Sequence, residues 1–325
     1  MSNHTKKSIS LFFAGHLAID TVIRFQKENP PSLGGSVSYC SLALRTYTDN
    51  ANIKILSHIG RSNFNHGLLD LIKSKSIDLE GIKWSDTKNT HFILNYFNHS
   101  RTLILKSKSP DLNFNDIPQT MLQNPPDAFV LVPLCNEISY EYVENLVKTY
   151  PDTYIGIDLQ GFIRKISNTG EVSLVQDDSI LENISNIIDI IDDKLILKGS
   201  EEEMKILSGK ENLNEVMEFF NDVKFKGISI MTLGERGSMI TRHGDQLLII
   251  PAFKPDSVED ETGAGDVYLA IFIYEYIISD KSWGSIASAG YLASSAASFL
   301  VEEKGPAGFQ TKAKVLERMK NKKYF

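Results

Sequence analysis

The chain alternates between short, continuously apolar runs and segments that repeat with the period of a helix. Segments such as EEEMKILSG and VYLAIFIYEYI are helical in pattern, and six apolar runs are typical of strands: SLFFAG, IKILSHIG, AFVLVP, YIGIDL, KLILKG and GISIMTLG. A strand that is apolar along its whole length is buried on both faces, and helical connections make such strands parallel. The pattern predicts an α/β fold in which a mostly parallel sheet lies between two layers of helices.

One stretch departs from this alternation. Thr90–Leu105 contains two β-rich runs around NHS, which predict a hairpin, and the extended piece IDTVIRF follows the first strand. These segments would either form a small sheet that projects from the α/β body or add an antiparallel edge to the main sheet. The residues alone leave both arrangements open and favour the edge. No repeat or long linker divides the 325 residues, so a single domain spanning 1–325 is expected.

Composition excludes several classes of protein. The formal net charge of −7 argues against a nucleic-acid-binding chain, which usually carries a basic face. The longest uncharged stretch, Ser285–Val301, is rich in serine and alanine, so we expect a buried helix there and no membrane span. The two cysteines, Cys40 and Cys135, form no CxxC motif, which favours a cytoplasmic location. The seven histidines have no HxxxH or HExxH spacing, so no histidine-built metal site is expected.

The most informative motif is TGAGD, Thr262–Asp266, which precedes a strongly apolar run from Val267. The chain has no GxxxxGK[ST] motif, and Tyr268 stands where GxGxxG would need its third glycine. Glycines at the start of a helix let an anion approach the free backbone N–H groups closely. Asp266 would then be either a helix cap or first-turn carboxylate, or a general base that accepts a proton from a hydroxyl. Composition and spacing alone favour the structural role.

The wider sequence points to the base. DETGAGD resembles the C-terminal signature of the ribokinase-like (PfkB) carbohydrate kinase family, written D-x-T-G-A-G-D. The resemblance implies that Asp266 is the catalytic base and that the backbone of Gly263, Ala264 and Gly265 forms an anion hole. It also implies that Asp260 helps to bind a monovalent cation, as in some members of the family.

Further motifs follow in the family's order over nearly the whole chain. LFFAGHLAIDTVIRF resembles the family's first strand, whose aspartate holds substrate hydroxyls and corresponds to Asp20. LGGSVSYCSLAL is similar to the N-terminal Gly-Gly signature, which implies that Gly34 and Gly35 lie against the substrate. SHIGRSNFNHGLL follows the family's G-x-D-x-x-G pattern only loosely, because Ser62 and Asn65 replace the usual aspartate and glycine.

The nucleotide-binding half of the family is also represented. MTLGERGSMI resembles the family's nucleotide loop through Thr232, Gly234 and Gly237. KGSEEE resembles its N-x-x-E motif through Ser200 and Glu203. In the second motif serine replaces the usual asparagine, whereas the glutamate implied to act on Mg²⁺ indirectly is retained. The resemblance further implies that the segment Ala293–Gly305 borders the adenine of ATP.

The fold and activity that the resemblance implies can be stated together. We expect an ATP- and Mg²⁺-dependent phosphotransferase with a three-layer α/β/α body and a small projecting β-lid. The lid elements would lie near 19–33 and 84–106, and a homodimer through the lid is possible in this family. The acceptor would be a hydroxyl of a small molecule.

The identity of the acceptor is less constrained. Asp20 suits adjacent hydroxyls, and Tyr39 stands where ribokinase-type members usually carry an asparagine, which weakens the case for ribose. Asp158, Gln160 and Arg164 resemble the D-x-Q-x-x-x-R segment of myo-inositol kinases, although a strand-end hydrogen bond and a surface ion pair would also explain Gln160 and Arg164. A sugar or a cyclitol is therefore favoured.

Two alternatives stay open. A nucleoside kinase of the same fold would need an apolar base pocket near the lid, to which four aromatic residues are candidates: Tyr39, Phe92, Tyr96 and Phe97. A non-catalytic ligand-binding protein on this fold is the other alternative. The intact Asp266 argues against a pure binder, which has no need of a base.

Overall fold

The structure is a computed structural model, and it describes residues 8–24, 27–97, 100–222, 225–321 and 323–325. Its sixteen strands within these ranges are β1 Ile9–Ala14, β2 Ala18–Arg24, β3 Lys27–Glu28, β4 Ser32–Gly34, β5 Ala51–Gly60, β6 Ile82–Ser85, β7 His91–Phe97, β8 Ser100–Ser107, β9 Ala128–Leu131, β10 Tyr154–Asp158, β11 Arg164–Ile166, β12 Val172–Leu174, β13 Leu195–Ser200, β14 Ile228–Thr232, β15 Ser238–Arg242 and β16 Leu248–Ile250. The α-helices within the same ranges are α1 Ser36–Tyr47, α2 Asp70–Ser74, α3 Gln119–Leu122, α4 Tyr140–Thr149, α5 Gln160–Ile163, α6 Asp178–Ile191, α7 Glu201–Ser208, α8 Leu213–Phe220, α9 Ala264–Ile277, α10 Trp283–Leu300 and α11 Lys312–Asn321.

The main sheet has nine strands in the order β16-β15-β14-β13-β10-β9-β1-β5-β6. All neighbours from β14 to β6 run parallel, which confirms the mostly parallel sheet predicted from the apolar runs. β15 and β16 add an antiparallel edge that the sequence pattern did not reveal. The edge strands are short, and strand β16 has a side chain exposed at Ile249.

Two helical layers cover the faces of this sheet. Successive residues of β1 point to opposite faces, so Phe13 belongs to one core and Phe12 to the other. The first core includes side chains of α1, α9, α10 and α11, and the second includes those of α4, α6, α7 and α8. Helix α9 is buried from Val267 to Tyr276, and completely burying a side chain such as Phe272 contributes about 1.5–3 kcal/mol.

The predicted hairpin belongs to a second sheet. Its strands run in the order β3-β2-β7-β8. The fifth strand, β4, is antiparallel to the start of β2, at Ala18–Asp20. β7 and β8 are antiparallel, whereas β2 and β7 are parallel. Phe92 and Leu94 of β7 pack with Ala18, Leu134 and Cys135 in a small core of their own. The hairpin therefore does not extend the main sheet, and the edge arrangement that the residues alone favoured is wrong.

A buried polar cluster lies where the chain passes between the two sheets. His16 Nδ1 bonds Thr90 Oγ1 at 2.8 Å, and His16 Nε2 bonds the carbonyl of Pro110 at 3.0 Å. Glu137 accepts backbone N–H bonds from His16, Leu134 and Cys135. Burial opposes its charge, but His16 and these N–H groups bring the pKa of Glu137 below its usual value. The second sheet is therefore tied to the body by satisfied hydrogen bonds and not by apolar contact alone.

In the part of the chain that the structure describes, no helix combines the length and the apolar character needed to cross a membrane. The longest helix, α10, has an apolar face buried against α9 through residues such as Ala289 and Ala293, as expected for the uncharged stretch around it.

Candidate active site

Two cavities meet at the N-terminus of α9. The first, called the polar cavity, has a volume of about 210 Å³ and is lined by charged and polar side chains that include Asp20, Asp158, Gln160, Arg164, Lys198 and Asp266. The second, called the apolar cavity, has a volume of about 290 Å³ and is lined largely by Ala252, Phe253, Val258, Ala297, Val301 and Phe325. Glu261 and Gly265 line both cavities, so the TGAGD segment forms the boundary between them.

The start of α9 depends on one glycine conformation. Gly263 is the N-cap, and its φ of 87° lies in the left-handed region that favours glycine. Val267 N–H donates to the Gly263 carbonyl and Ala264 N–H to the Glu261 carbonyl, so the N–H groups of Gly265 and Asp266 are the ones in the first turn that have no intrahelical partner. They and the helix dipole favour an anion beside Gly265, at the boundary of the two cavities.

A substitution at Gly263 tests this geometry. In Gly263→Ala, the new methyl group would meet the ring of Tyr39, and the left-handed backbone costs about 1–2 kcal/mol in addition. We expect a loss of unfolding free energy clearly greater than that of Gly244→Ala, whose φ is 81° but whose methyl group would have no neighbour within 4 Å. Urea denaturation of both variants measures the difference, and equal losses would show that the contact with Tyr39 is unimportant.

Asp266 lies in the first turn of α9 and faces the polar cavity. Burial raises the pKa of its carboxyl to about 7, and the charge of Asp158 acts in the same direction. Lys198, a hydrogen bond with Ser36 and the charge of Arg164 act in the opposite direction. A carboxylate with a pKa near neutrality can accept a proton and still be mostly ionised slightly above pH 7, which suits a general base.

Lys198 is a charged residue of the site that the sequence motifs did not identify as functional. Its Nζ donates to Asp158 Oδ2 at 2.7 Å, and both side chains are almost completely buried. Burial opposes the charge of Lys198, but Asp158, Glu203 and Asp266 together raise its pKa above the usual value. A methyl group added to Gly265 would lie 2.7 Å from Nζ, so the ammonium group packs directly against the proposed anion site.

A lysine at the end of the apolar run KLILKG was the only available signal for this residue. The register of the parallel strands β10 and β13 places Asp158 directly beside Lys198. The two residues are 40 positions apart in the chain, so their contact depends on the order of the strands.

The other residues predicted to bind the acceptor substrate lie at or near the polar cavity. Gly34 pairs with Ala18 across β4 and β2, and any side chain at Gly34 would meet the carboxylate of Asp20. Gly35, with a φ of 94°, is the N-cap of α1 and lines the same cavity as Tyr39. Asp20 therefore reaches the cavity because glycine leaves it room.

Gln160 and Arg164 lie at the two ends of α5 and also line the polar cavity. The backbone N–H of Gln160 donates to Asp158 Oδ1 at 3.2 Å, and this bond does not use the side-chain amide. Arg164 is buried, and its Nη1 donates to the carbonyl of Leu134 at 2.9 Å. The strand-end bond at Gln160 is made by its backbone N–H and does not explain the glutamine side chain, whereas the surface ion pair considered for Arg164 is wrong because that side chain is buried.

The predicted nucleotide residues divide into two groups. Thr232 ends β14, Gly234 and Gly237 follow it, and all three line the apolar cavity together with side chains of α10. Ser200 and Glu203 line neither cavity, because they form a capping box at the start of α7: Ser200 N–H donates to Glu203 Oε2 at 2.8 Å and Glu203 N–H to Ser200 Oγ at 3.3 Å. Burial, and then the charge of Asp158, raise the pKa of Glu203.

Asp260 lies next to the second sheet. Arg24 Nη2 of β2 is 3.6 Å from Asp260 Oδ2, and Thr262 N–H donates to Asp260 Oδ1 at 3.1 Å. The guanidinium carbon of Arg24 lies 4.2 Å from the centre of the Tyr96 ring, and the Tyr96 hydroxyl bonds Thr262 Oγ1 at 3.1 Å. The second sheet therefore contacts the loop that leads into α9.

Comparison with known proteins agrees with this architecture. A solved nucleoside kinase of Methanocaldococcus jannaschii has a TM-score of 0.73 at 19% identity, covering 97% of this chain and 99% of that one. A fructokinase double mutant of Vibrio cholerae O395, solved with fructose, ADP and potassium ion, has a TM-score of 0.77 at 14% identity, covering 97% and 100%. A pyrophosphate-dependent kinase of the ribokinase family, solved with a pyrophosphate analog and myo-inositol, has a TM-score of 0.74 at 18% identity, covering 94% and 99%. At these identities the likeness establishes the fold.

Sequence comparison goes further. A curated nucleoside kinase of M. jannaschii is 38% identical over 91 residues, a match that spans only 28% of this chain and 28% of that protein. The model of the pfkB family of carbohydrate kinases matches residues 43–313, which is most of the chain. Kinases of that family are phosphotransferases that act on hydroxyl groups of sugars and nucleosides. This chain belongs to the pfkB family of carbohydrate kinases.

Proposed function

We propose that this protein transfers the γ-phosphoryl group of ATP to a hydroxyl group of a sugar or a cyclitol. The observation that carries the proposal is the position of Asp266, a carboxylate with a pKa raised to about 7 where a polar and an apolar cavity meet. Gly265 and the ammonium group of Lys198 border the same point. A base, an anion site and room for two substrates are the elements that phosphoryl transfer requires.

The reaction would proceed with little covalent chemistry from the protein. An acceptor hydroxyl gives its proton to Asp266, its oxygen forms a bond to the γ-phosphorus, and the bond from that phosphorus to the β-phosphate oxygen breaks, so ADP leaves with the bonding electrons. The N–H groups at the start of α9 and the ammonium group of Lys198 stabilise the charge on the transferring group.

Two carboxylates near the proposed donor site, those of Glu261 and Glu203, are candidates to act on Mg²⁺. Glu261 lines both cavities, whereas the carboxylate of Glu203 is used in the capping box. We propose that Glu261 meets the ion through water and that Glu203 acts indirectly, because its charge helps to raise the pKa of Lys198. When bound, Mg²⁺ would neutralise the phosphates of the donor, and it usually keeps several waters.

The charges of the polar cavity favour a neutral polyol. Asp20 and Asp266 can accept hydrogen bonds from adjacent hydroxyls, and Gln160 can both donate and accept. The two cations of the cavity, Arg164 and Lys198, are already engaged by the Leu134 carbonyl and Asp158. A sugar or a cyclitol therefore fits better than a phosphorylated acceptor, which would bring further negative charge to the carboxylates.

A nucleoside is the second candidate. Phe92, Leu94 and Leu103 of the second sheet form an apolar wall of the polar cavity against which a base could pack, and Tyr39 also lines it. The local sequence similarity to a nucleoside kinase supports this candidate. The hydroxyl of Tyr96, however, is hydrogen-bonded to Thr262 Oγ1, and the side chain of Phe97 lies outside the described residues.

A substrate panel tests the proposal. ATP consumption would be measured with ribose, fructose, 2-keto-3-deoxygluconate, myo-inositol, adenosine and cytidine as acceptors. We expect turnover with a sugar or with myo-inositol. Turnover with the nucleosides alone would favour the second candidate, and binding without turnover for every compound would favour a non-catalytic ligand-binding protein.

The apolar cavity supports a nucleotide as the donor. Phe325 and Val258 contribute apolar wall to this cavity, and Ser294, Ala297 and Val301, which also line it, lie in the segment expected to border adenine. Pyrophosphate has no base and would leave this apolar wall without contacts. Pyrophosphate is the donor to be distinguished from ATP, because one of the similar solved structures is that of a pyrophosphate-dependent kinase.

Removal of the Phe325 ring tests the donor assignment. Stacking on an aromatic ring is worth about 0.5–1.5 kcal/mol, so KM for ATP in Phe325→Ala should rise about two- to twelvefold. Any turnover with pyrophosphate should be unchanged, and Ile278→Ala, which removes an exposed side chain beyond the C-terminus of α9, is the control. An unchanged KM for ATP in steady-state kinetics would contradict a base bound at this wall.

We also propose that the protein acts in the cytoplasm, which its two buried, free cysteines, Cys40 and Cys135, support. A homodimer through the second sheet stays a prediction, and sedimentation equilibrium of the purified protein would measure it.

A further inference from the structure

Arg24 brings a permanent positive charge to the loop that leads into the candidate active site. It stands at the end of β2, and its Nη2 lies 3.6 Å from Asp260 Oδ2. The centre of the Tyr96 ring lies 4.2 Å from the guanidinium carbon, so the face of this ring also stabilises the cation. A guanidinium group stays protonated at every physiological pH, so this charge is always present.

The other oxygen of Asp260 is also engaged. Oδ1 accepts the N–H of Thr262 at 3.1 Å, and the hydroxyl of Thr262 meets the hydroxyl of Tyr96 at 3.1 Å. The contacts of Arg24, Tyr96, Thr262 and Asp260 thus form a closed ring. The ring joins the second sheet to the residue directly before Gly263, whose conformation starts α9.

This ring bears on the monovalent cation that the family resemblance implies at Asp260. A similar fructokinase has been solved with a potassium ion bound. A potassium ion held by Asp260 would need a carboxylate oxygen that faces it, and in this chain one oxygen accepts a backbone N–H while the other faces a guanidinium group. The donor set at Asp260 therefore does not fit a resident monovalent cation.

We infer that Arg24 supplies the charge that a monovalent cation would bring to Asp260, so that the loop Asp260–Gly263 keeps its conformation without such an ion. Tyr96 holds the guanidinium group in position. The importance of this loop for phosphoryl transfer rests on the proposed function, but the replacement of an ion by Arg24 does not.

Thermal unfolding in two salts tests the inference directly. The midpoint Tm would be measured in potassium chloride and in tetramethylammonium chloride at equal ionic strength, because the larger cation cannot enter a small site. We expect the same Tm in both salts for the unaltered protein. In Arg24→Ala the carboxylate of Asp260 becomes available, so Tm should be higher in potassium chloride by about 2 °C or more.

Two variants separate the charge from the other contacts. Arg24→Lys keeps a cation and should show no preference for potassium, and Tyr96→Phe keeps the ring while it removes only the hydroxyl, so it too should show none. Arg24 is about one-third exposed, and its replacement should leave the protein folded. A potassium-specific rise in Tm for the unaltered protein would overturn the inference, and so would its absence in Arg24→Ala.

A kinetic measurement keeps this inference apart from the proposed function. If an acceptor from the substrate panel is turned over, its rate should be equal in the two salts for the unaltered protein and should become potassium-dependent in Arg24→Ala. If no acceptor is turned over while the Tm pattern holds, the proposed function fails and the role of Arg24 stands.

Discussion

Asp266→Asn should lower turnover by at least about 10²–10⁴-fold, because that is the range that a positioned general base contributes. The amide has the shape of the carboxylate but cannot accept the proton of the acceptor hydroxyl. Binding of ATP in the apolar cavity should be kept, because Asp266 lines only the polar cavity. Steady-state kinetics and calorimetric titration with ATP measure the two effects separately.

The control for this variant is Asp152→Asn, which makes the same change at an exposed residue in the turn before β10. It should keep full turnover. Near-normal turnover in Asp266→Asn would remove the assignment of Asp266 as the base, whereas a loss of ATP binding as well would point to a misfolded variant.

The raised pKa of Asp266 also predicts two dependences on pH. The base must be ionised to act, so kcat/KM of the unaltered enzyme should fall as the pH drops through about 7. The folded state holds this proton more tightly than the unfolded state, so its contribution to stability is lost as the pH rises from the ordinary aspartate range to about 7. Asp266→Asn loses no such contribution and should be at least as stable as the unaltered protein at pH 8. If kcat/KM fell only at the ordinary pKa of an aspartate, the raised pKa of Asp266 and both predicted pH dependences would be contradicted.

Lys198→Met should have the largest effect on stability. It leaves the carboxylate of Asp158, which is 1% exposed, buried without its partner. Breaking a buried ion pair in this way costs about 3–5 kcal/mol of unfolding free energy. Urea denaturation at neutral pH measures the loss. Because Lys198 lowers the pKa of Asp266, any remaining activity should require a higher pH than that of the unaltered enzyme.

Two further variants define what the loss means. Lys226→Met breaks an exposed ion pair of similar length, 3.0 Å to Asp192, and should cost only about 0–1 kcal/mol. Lys198→Met combined with Asp158→Leu removes both buried charges and should recover much of the stability, although not the activity. If Lys198→Met and Lys226→Met lost equal free energy, the buried pair would have no special role in the fold.

The elements of the main sheet could be predicted because burial constrains their composition. Strands β9, β10, β13 and β14 are covered by helices on both faces, so most of their residues are apolar, and the runs are visible in the sequence. β15 has the mixed sequence SMITR and β16 has only the three residues LII, so neither strand gave a comparable signal. The hairpin β7–β8 was visible as two strands, but which sheet it joined was not.

The candidate site divides in the same way. The glycines and Asp266 were identified by their resemblance to the family signature, because composition and spacing alone favoured a structural role for Asp266. The structure places these residues at the start of α9, and their roles in the reaction stay predictions. Ser200 and Glu203 were visible as a motif, yet their geometry is that of a capping box, which uses the same spacing of serine and glutamate. A local motif therefore identified the residues without deciding what their side chains contact.

The sequence by itself determined the α/β class and a helix that follows the glycines of TGAGD, because periodicity, glycine conformation and helix termini are properties of neighbouring residues. Only the tertiary structure decided the pairing of Asp158 with Lys198 and the approach of Arg24 to Asp260. The first depends on the register of β10 with β13, and the second on how the second sheet lies against the loop before α9. Contacts between residues 40 or more positions apart follow from strand order and packing, which no local pattern encodes.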